Sequence, residues 1–128
     1  MSLLNTLSLV LAILVSVGIT VIGCFYVVSP QRILGGFGLK PPAKDTDTLA
    51  WLRLKGIRDI ACGLAVLTLM LTTNSRTVGI ALLVFFIVPF GDMLNILMNG
   101  GRRVTAFSIH GVTCAVMLVA GIRLMHGS

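Results

Sequence analysis

The stretch LAWLRLKGIRDIACGLAVLTLML, residues 49–71, decides how this chain is read. It is long enough to cross a bilayer, since a hydrocarbon core of about 30 Å takes about 20 residues of helix. Yet Arg58 and Asp59 stand side by side near its middle, with Arg53 and Lys55 just before them. A charge at the centre of a membrane helix costs about 2.5–3.5 kcal/mol on insertion scales, so such residues face a bundle interior or a wet cavity and mark a site. Asp92 and His110 repeat the pattern in two later apolar segments.

Composition agrees with a membrane reading. Hydrophobic residues make up 56% and charged residues 11% of the chain, against about 25% charged in an ordinary soluble domain. A length of 128 residues leaves room for one bundle and no separate soluble domain. The net charge of +6 raises nucleic acid as a partner. However, Arg32, Lys40, Lys44, Arg102 and Arg103 lie beside apolar runs, where basic residues anchor helix ends at lipid headgroups. Nucleic-acid binding is therefore disfavoured.

Four apolar runs are read, at about residues 3–28, 49–71, 76–98 and 104–125. Ser29-Pro30 ends the first, residues 72–75 form a tight turn, and Asn99-Gly100-Gly101 separates the last two. The expected fold class is an all-α membrane protein, an up-down-up-down bundle of four transmembrane helices forming a single domain over residues 1–128. A cleavable leader competes for the first run, but no Lys or Arg precedes its apolar core and no clear small-x-small site follows it. The first and third loops carry five of the basic residues, whereas the second loop and the C-terminal end offer Arg76 and Arg123. The positive-inside rule then puts the first and third loops in the cytosol and both termini on the other side. The expected location is the endoplasmic reticulum in a eukaryote or the inner membrane in a bacterium.

The first loop spreads Ile33, Leu34, Phe37 and Leu39 among Gly35, Gly36 and Gly38. With no preceding strand and no following Lys-Ser or Lys-Thr it is not a nucleotide loop. It reads either as a lid over a cavity mouth or as an interfacial anchor. Lys40-Pro41-Pro42-Ala43-Lys44 is a stiff connector, after which Asp47 or Thr48 is expected to cap the second helix.

Depth groups the polar residues. At 1.5 Å per residue, Arg58 and Asp59 lie about 14 Å in from the first-loop side, Asp92 about 10 Å and His110 about 12 Å from the third-loop side. Those two loops share a membrane face, so all four groups fall at similar depth. Helical spacing adds Lys55 and Cys62 to the second helix's stripe, Asn95 and Asn99 to that of Asp92, and Thr113 and Cys114 to that of His110. Ser16 and Thr20 share a stripe on the first helix, with Tyr26 nearer the loop side. Gly56, Gly63 and Gly111 permit close backbone approach. Pro89 cannot donate to Phe85, and the resulting kink opens space beside Asp92.

A competing account makes the charged cluster a buried structural ion pair, Arg58 or Lys55 with Asp59 or Asp92, that sets helix register. His110 alone would be read as a packing residue, and Arg53 as a snorkelling one. Cys24, Cys62 and Cys114 form neither a C-x-x-C pair nor a metal spacing, which disfavours thiol redox chemistry. With Arg58 and Lys55 supplying positive charge, no metal and no cofactor are expected.

Lys55-Gly56-x-Arg58-Asp59-Ile60, Pro89-x-x-Asp92 and His110 together resemble the small four-helix membrane proteins of the DoxX-like superfamily. Within it they are most similar to a fungal and bacterial family of unknown function. The resemblance covers nearly the whole chain and implies the fold and the site more than a reaction. The residue set is also similar to the Asp-Arg-Asp site of limonene-type epoxide hydrolases, an analogy of site and not of fold. Some membrane proteins of fungal polyketide pathways that open epoxides to form cyclic ethers look similar in size.

The expectation is an intramembrane acid/base enzyme, an epoxide hydrolase or cyclase or an isomerase, acting on a lipophilic secondary metabolite that enters from the bilayer. Asp92 would be the base, with Asn95, Tyr26 and Lys55 positioning water or substrate. Asp59 would be the acid, Arg58 the charge clamp, and His110 an orienter or the alternative acid. The alternative is a small proton-coupled transporter or a lipid-binding or structural membrane subunit. A transporter would rely on Asp59 or Asp92, since the first run holds no carboxylate. A homodimer is the expected assembly.

Overall fold

A computed structural model describes residues 1–127. The helices are α1 (Leu3–Val28), α2 (Pro30–Ile33, continued by a tight turn over Leu34–Gly36), α3 (Thr46–Thr72), α4 (Ser75–Phe85), α5 (Ile87–Met98), α6 (Arg103–Thr105) and α7 (Val112–His126). A wide π turn over Ala106–Gly111 joins α6 to α7, and no strand occurs among the described residues.

Side-chain caps explain where three of these helices begin. Ser2 accepts from the Asn5 amide, Asn74 from Thr77, and Asp45 from both the amide and the hydroxyl of Thr48, so that each supplies an acceptor to an otherwise orphaned first turn. The cap of α3 is thus Asp45, not Asp47 or Thr48. The helix starts three residues earlier than its apolar run because that carboxylate nucleates it. Interruptions are as specific: α4 gives way to α5 at Phe86, one turn before Pro89, because a proline has no N–H to offer the Phe85 carbonyl.

Two tight antiparallel pairs organise the fold. In α1 and α3, Gly23 and Gly56 meet face to face: a Cβ on either would lie 2.6 Å from the other's carbonyl oxygen. One on Gly63 would lie 2.6 Å from the Ser16 carbonyl. In α4 and α7 the same role falls to Gly79, whose Cβ would sit 2.6 Å from the Gly121 carbonyl. Only glycine permits backbones this close. Gly111, expected to share that role, does not: its nearest contact is ordinary, 3.5 Å to the Met93 Sδ. α1 against α7 and α3 against α4 join the two pairs.

Leu3–Val28, Ser75–Met98 and Arg103–His126 are each long and apolar enough to cross a membrane. They present outward a belt of exposed apolar side chains such as Leu14, Phe25, Ile87 and Val119, the arrangement of an integral membrane protein. At 27 residues α3 is as long, but Lys55, Arg58 and Asp59 interrupt its apolar character. The solid core of Ala12, Val66, Val78, Leu82, Met117, Ala120 and Leu124 lies towards the end that holds the two termini. There Asn5 donates to the Gly127 carbonyl. From beneath α2 a hollow reaches down to that core, which contributes Val66, Leu82 and Met117 to its wall.

Candidate functional site

That hollow is a cavity of about 520 Å³. Its walls are mostly aliphatic, with Leu11, Val15, Ile19 and Ile22 contributed by α1. Tyr26, Lys55, Asp59, Asp92 and His110 gather at its α2 end.

Each group arrives by local geometry. Asp59 is buried at 5% exposure and accepts from the Lys55 ammonium at 2.7 Å, one helical turn earlier. The same ammonium stands 4.6 Å from the centre of the Tyr26 ring and 5.4 Å from that of Phe37, close enough for cation–π attraction. Tyr26 is 3% exposed, and no hydrogen bond holds it among the described residues. Its hydroxyl is therefore free for whatever enters.

Opposite, His110 Nδ1 faces Asp92 Oδ2 at 3.8 Å, and its Nε2 lies 3.4 Å from the Phe37 carbonyl. A hydrogen on Nε2 would point at that carbonyl and leave the Nδ1 lone pair towards Asp92. The π turn that carries His110 inserts an extra residue into the helix, a device that re-aims side chains and recurs at functional sites. Pro89 also lines the cavity, so the break in the helix borders the space beside Asp92, as its sequence position implied.

Five of the seven expected site residues therefore meet, and two do not. Arg58 is exposed on the outer face of α3 and forms no ion pair among the described residues. Successive residues of a helix are turned about 100° from each other, so Arg58 and Asp59 cannot share a face, whereas Lys55 and Asp59 can. Asn95 is also exposed, its side chain accepting from Asn99 at 2.9 Å, because the inward position of that turn belongs to the fully buried Ile96. Phe37, read from the sequence only as one apolar residue of a loop that is either a lid or an interfacial anchor, is a wall of the site. Its ring centre is 5.0 Å from that of His110. Arg102 fastens the loop from below, donating to the carbonyls of Gly35 from its side chain and of Gly38 from its amide. The glycine-rich loop thus closes over the polar cluster instead of only resting beside it.

No three of His, Cys, Asp and Glu converge as metal ligands among the described residues. Cys24, Cys62 and Cys114 are free thiols on three different helices.

The fold and the polar end of its cavity define a class: a small all-helical membrane protein with ionisable groups in its interior. The chain belongs to the family described as Domain of unknown function (DUF4267), whose model matches residues 16–124. That span includes every cavity residue named above except Leu11 and Val15. The wider DoxX-like resemblance and the epoxide-hydrolase analogy find no family match of their own. No curated protein and no solved structure matches the chain.

Proposed function

We propose that all four helical rods span the bilayer as an up-down-up-down bundle, with the α2 side in the cytosol, and that the chain is an intramembrane acid/base enzyme opening an epoxide on a lipophilic substrate. One observation carries the reading: Asp92–His110, Lys55–Asp59 and the unpaired Tyr26 hydroxyl converge at one end of a mostly aliphatic cavity. A structural ion pair alone needs neither the cavity nor a free phenol.

In this scheme the hydrocarbon part of the substrate fills the aliphatic region and its epoxide lies among the polar groups. Asp92 accepts the proton of the attacking oxygen, a water or a hydroxyl of the substrate itself. That oxygen forms the new C–O bond as the epoxide C–O bond breaks. Tyr26 donates its proton to the departing oxygen, and Lys55 stabilises the charge that develops there. Asp59 holds Lys55 over the ring. The proton on Asp92 returns to Tyr26 through His110 and water, so no proton is consumed. Relative to the sequence reading, the clamp passes from Arg58 to Lys55, and Asp59 becomes its positioning partner instead of the acid.

The test is turnover of epoxide-bearing lipophiles by protein in nanodiscs. Asp92→Asn and Tyr26→Phe are expected to lower the rate by about 10²–10⁴ with the fold retained. Unchanged turnover in both variants would remove the assignment.

A further inference from the structure

The wall of the cavity is not continuous. On α1 it includes Leu14, Gly18 and Ile22, and on the π turn and α7 it includes Ile109, Thr113 and Val116, one stripe at helical spacing on each rod. Deeper wall residues are covered, Val66 being 3% and Leu82 1% exposed, whereas Leu14, Ile22 and Ile109 are 63%, 43% and 50% exposed. These three border the cavity and the outside at once. Between Leu14 and Ile22, a Cβ added to Gly18 would meet no atom within 4 Å. The packing leaves room for such a gap, because α1 docks chiefly on α2, α3 and α7, and the π turn on α5, α6 and α7.

The level of the gap decides what can pass through it. Gly18 lies eight residues below Tyr26, about 12 Å along the axis, in a helix long and apolar enough to cross a membrane, so the outside at that level is hydrocarbon. The rim is aliphatic apart from Thr113, whose hydroxyl is already engaged with the Ile109 carbonyl at 2.7 Å. A polar group held there would go unsatisfied in an apolar surrounding, whereas an alkyl chain exchanges one apolar contact for another. The rim nevertheless begins beside the polar cluster, since Ile109 precedes His110 and Ile22 stands one turn from Tyr26.

We infer that the gap between α1 and the π turn with α7 is a lateral window, through which the alkyl chain of a long-chain lipid runs from the cavity into the bilayer while its polar group lies among Tyr26, Lys55, Asp92 and His110. The substrate class is thereby a lipid that reacts near its polar end and whose chain overruns the cavity. Gly18 is the residue that keeps the window open. The inference rests on the proposed use of this cavity as the substrate site.

Photolabelling tests it without reference to turnover. Protein in nanodiscs is irradiated with hexadecan-1-ol carrying a diazirine either close to its hydroxyl or at mid-chain, and adducts are mapped by fragment mass spectrometry, those competed by plain hexadecan-1-ol counting as saturable. In wild type the head-end probe is expected to mark residues around Asp92 and His110, and the mid-chain probe Leu14, Ile22 and Ile109. Gly18→Trp, whose ring has open space to enter, and Ile109→Trp from the other rim should each lower saturable head-end labelling about tenfold, the effect of crowding a filled passage. Gly18→Ala should leave it unchanged. The two Trp variants lie on different helices and are checked by unfolding in SDS, so a folding defect in one does not decide the outcome. Saturable mid-chain adducts confined to covered residues such as Val66 and Leu82, or head-end labelling that survives both Trp variants, overturn the inference and leave the substrate site standing. Mid-chain labelling missing from a protein that runs as a dimer in native mass spectrometry gives the gap to a second copy and overturns it as well. Absence of saturable head-end labelling in wild type overturns both readings.

Discussion

Replacing Lys55 by Met removes the ammonium that holds Asp59 and leaves the methylene stem nearly unchanged in volume. An exposed pair at this helical spacing is worth about 0.3–0.5 kcal/mol, and breaking a buried one by removing a single partner costs about 3–5 kcal/mol. The Asp59 side chain is 7% exposed and that of Lys55 30%, which places the pair nearer the buried limit. The cation–π contact with Tyr26 adds about 1 kcal/mol for a partly desolvated site. Lys55→Met is therefore expected to cost about 3 kcal/mol, read as the unfolding free energy in mixed detergent–SDS micelles. Arg58→Leu, one residue from the same carboxylate but on the outer face, is expected to change stability by less than about 0.5 kcal/mol, as surface substitutions do. Adding Asp59→Leu to Lys55→Met should restore most of the loss, because the damage comes from an uncompensated buried charge and not from a missing attraction. If Arg58→Leu costs more than Lys55→Met, or if the double variant is no more stable than the single, Lys55 is not the counter-charge.

Gly56→Ala places a Cβ 2.6 Å from the Gly23 carbonyl and 2.8 Å from the Tyr26 Cβ. It should destabilise by about 1–3 kcal/mol in the same unfolding assay and displace Tyr26, whereas Gly18→Ala, with open space around it, should be neutral. Phe37→Ala removes the ring that covers His110 and Lys55. If the proposed epoxide opening is right, it should raise the KM of an epoxide-bearing lipophile more than it lowers kcat, since in that scheme Phe37 encloses the site and takes no part in the proton transfers. The Asp45 carboxyl is held below the usual carboxylate range, chiefly by the Thr48 amide and then by its hydroxyl. A lowered folded-state pKa stabilises at pH values above the unfolded one and is lost as pH falls through the folded one. Hydrogen exchange at the Thr48 amide should accordingly quicken as pH drops below the carboxylate range, after correction for its intrinsic rate. Asp45→Asn should abolish that pH dependence, and an unchanged profile in that variant would disconnect it from the cap.

Residue order alone determined what kind of object this is. The length and apolarity of four runs, the breaks at Pro30, Asn74 and Gly100, and the depth of Asp59, Asp92 and His110 follow from composition and from a fixed rise per residue. They need no partner helix to be computed. What a single helix cannot report is which side of it meets which neighbour. Helical spacing already favours Lys55 over Arg58 as the counter-charge for Asp59, but it does not say which side of α3 faces inward. Only the docking of α3 on α1 through Gly23, Gly56 and Gly63 turned Lys55 inward and Arg58 out. Phe37 lay in a loop whose path depends on Arg102, far away in sequence. The aim of His110 depends on a π turn, whose extra residue breaks the 3.6-residue count on which stripe reasoning rests. Depth is a property of the chain's own geometry, whereas facing is a property of contacts between helices, and the chemistry of this site depends on facing.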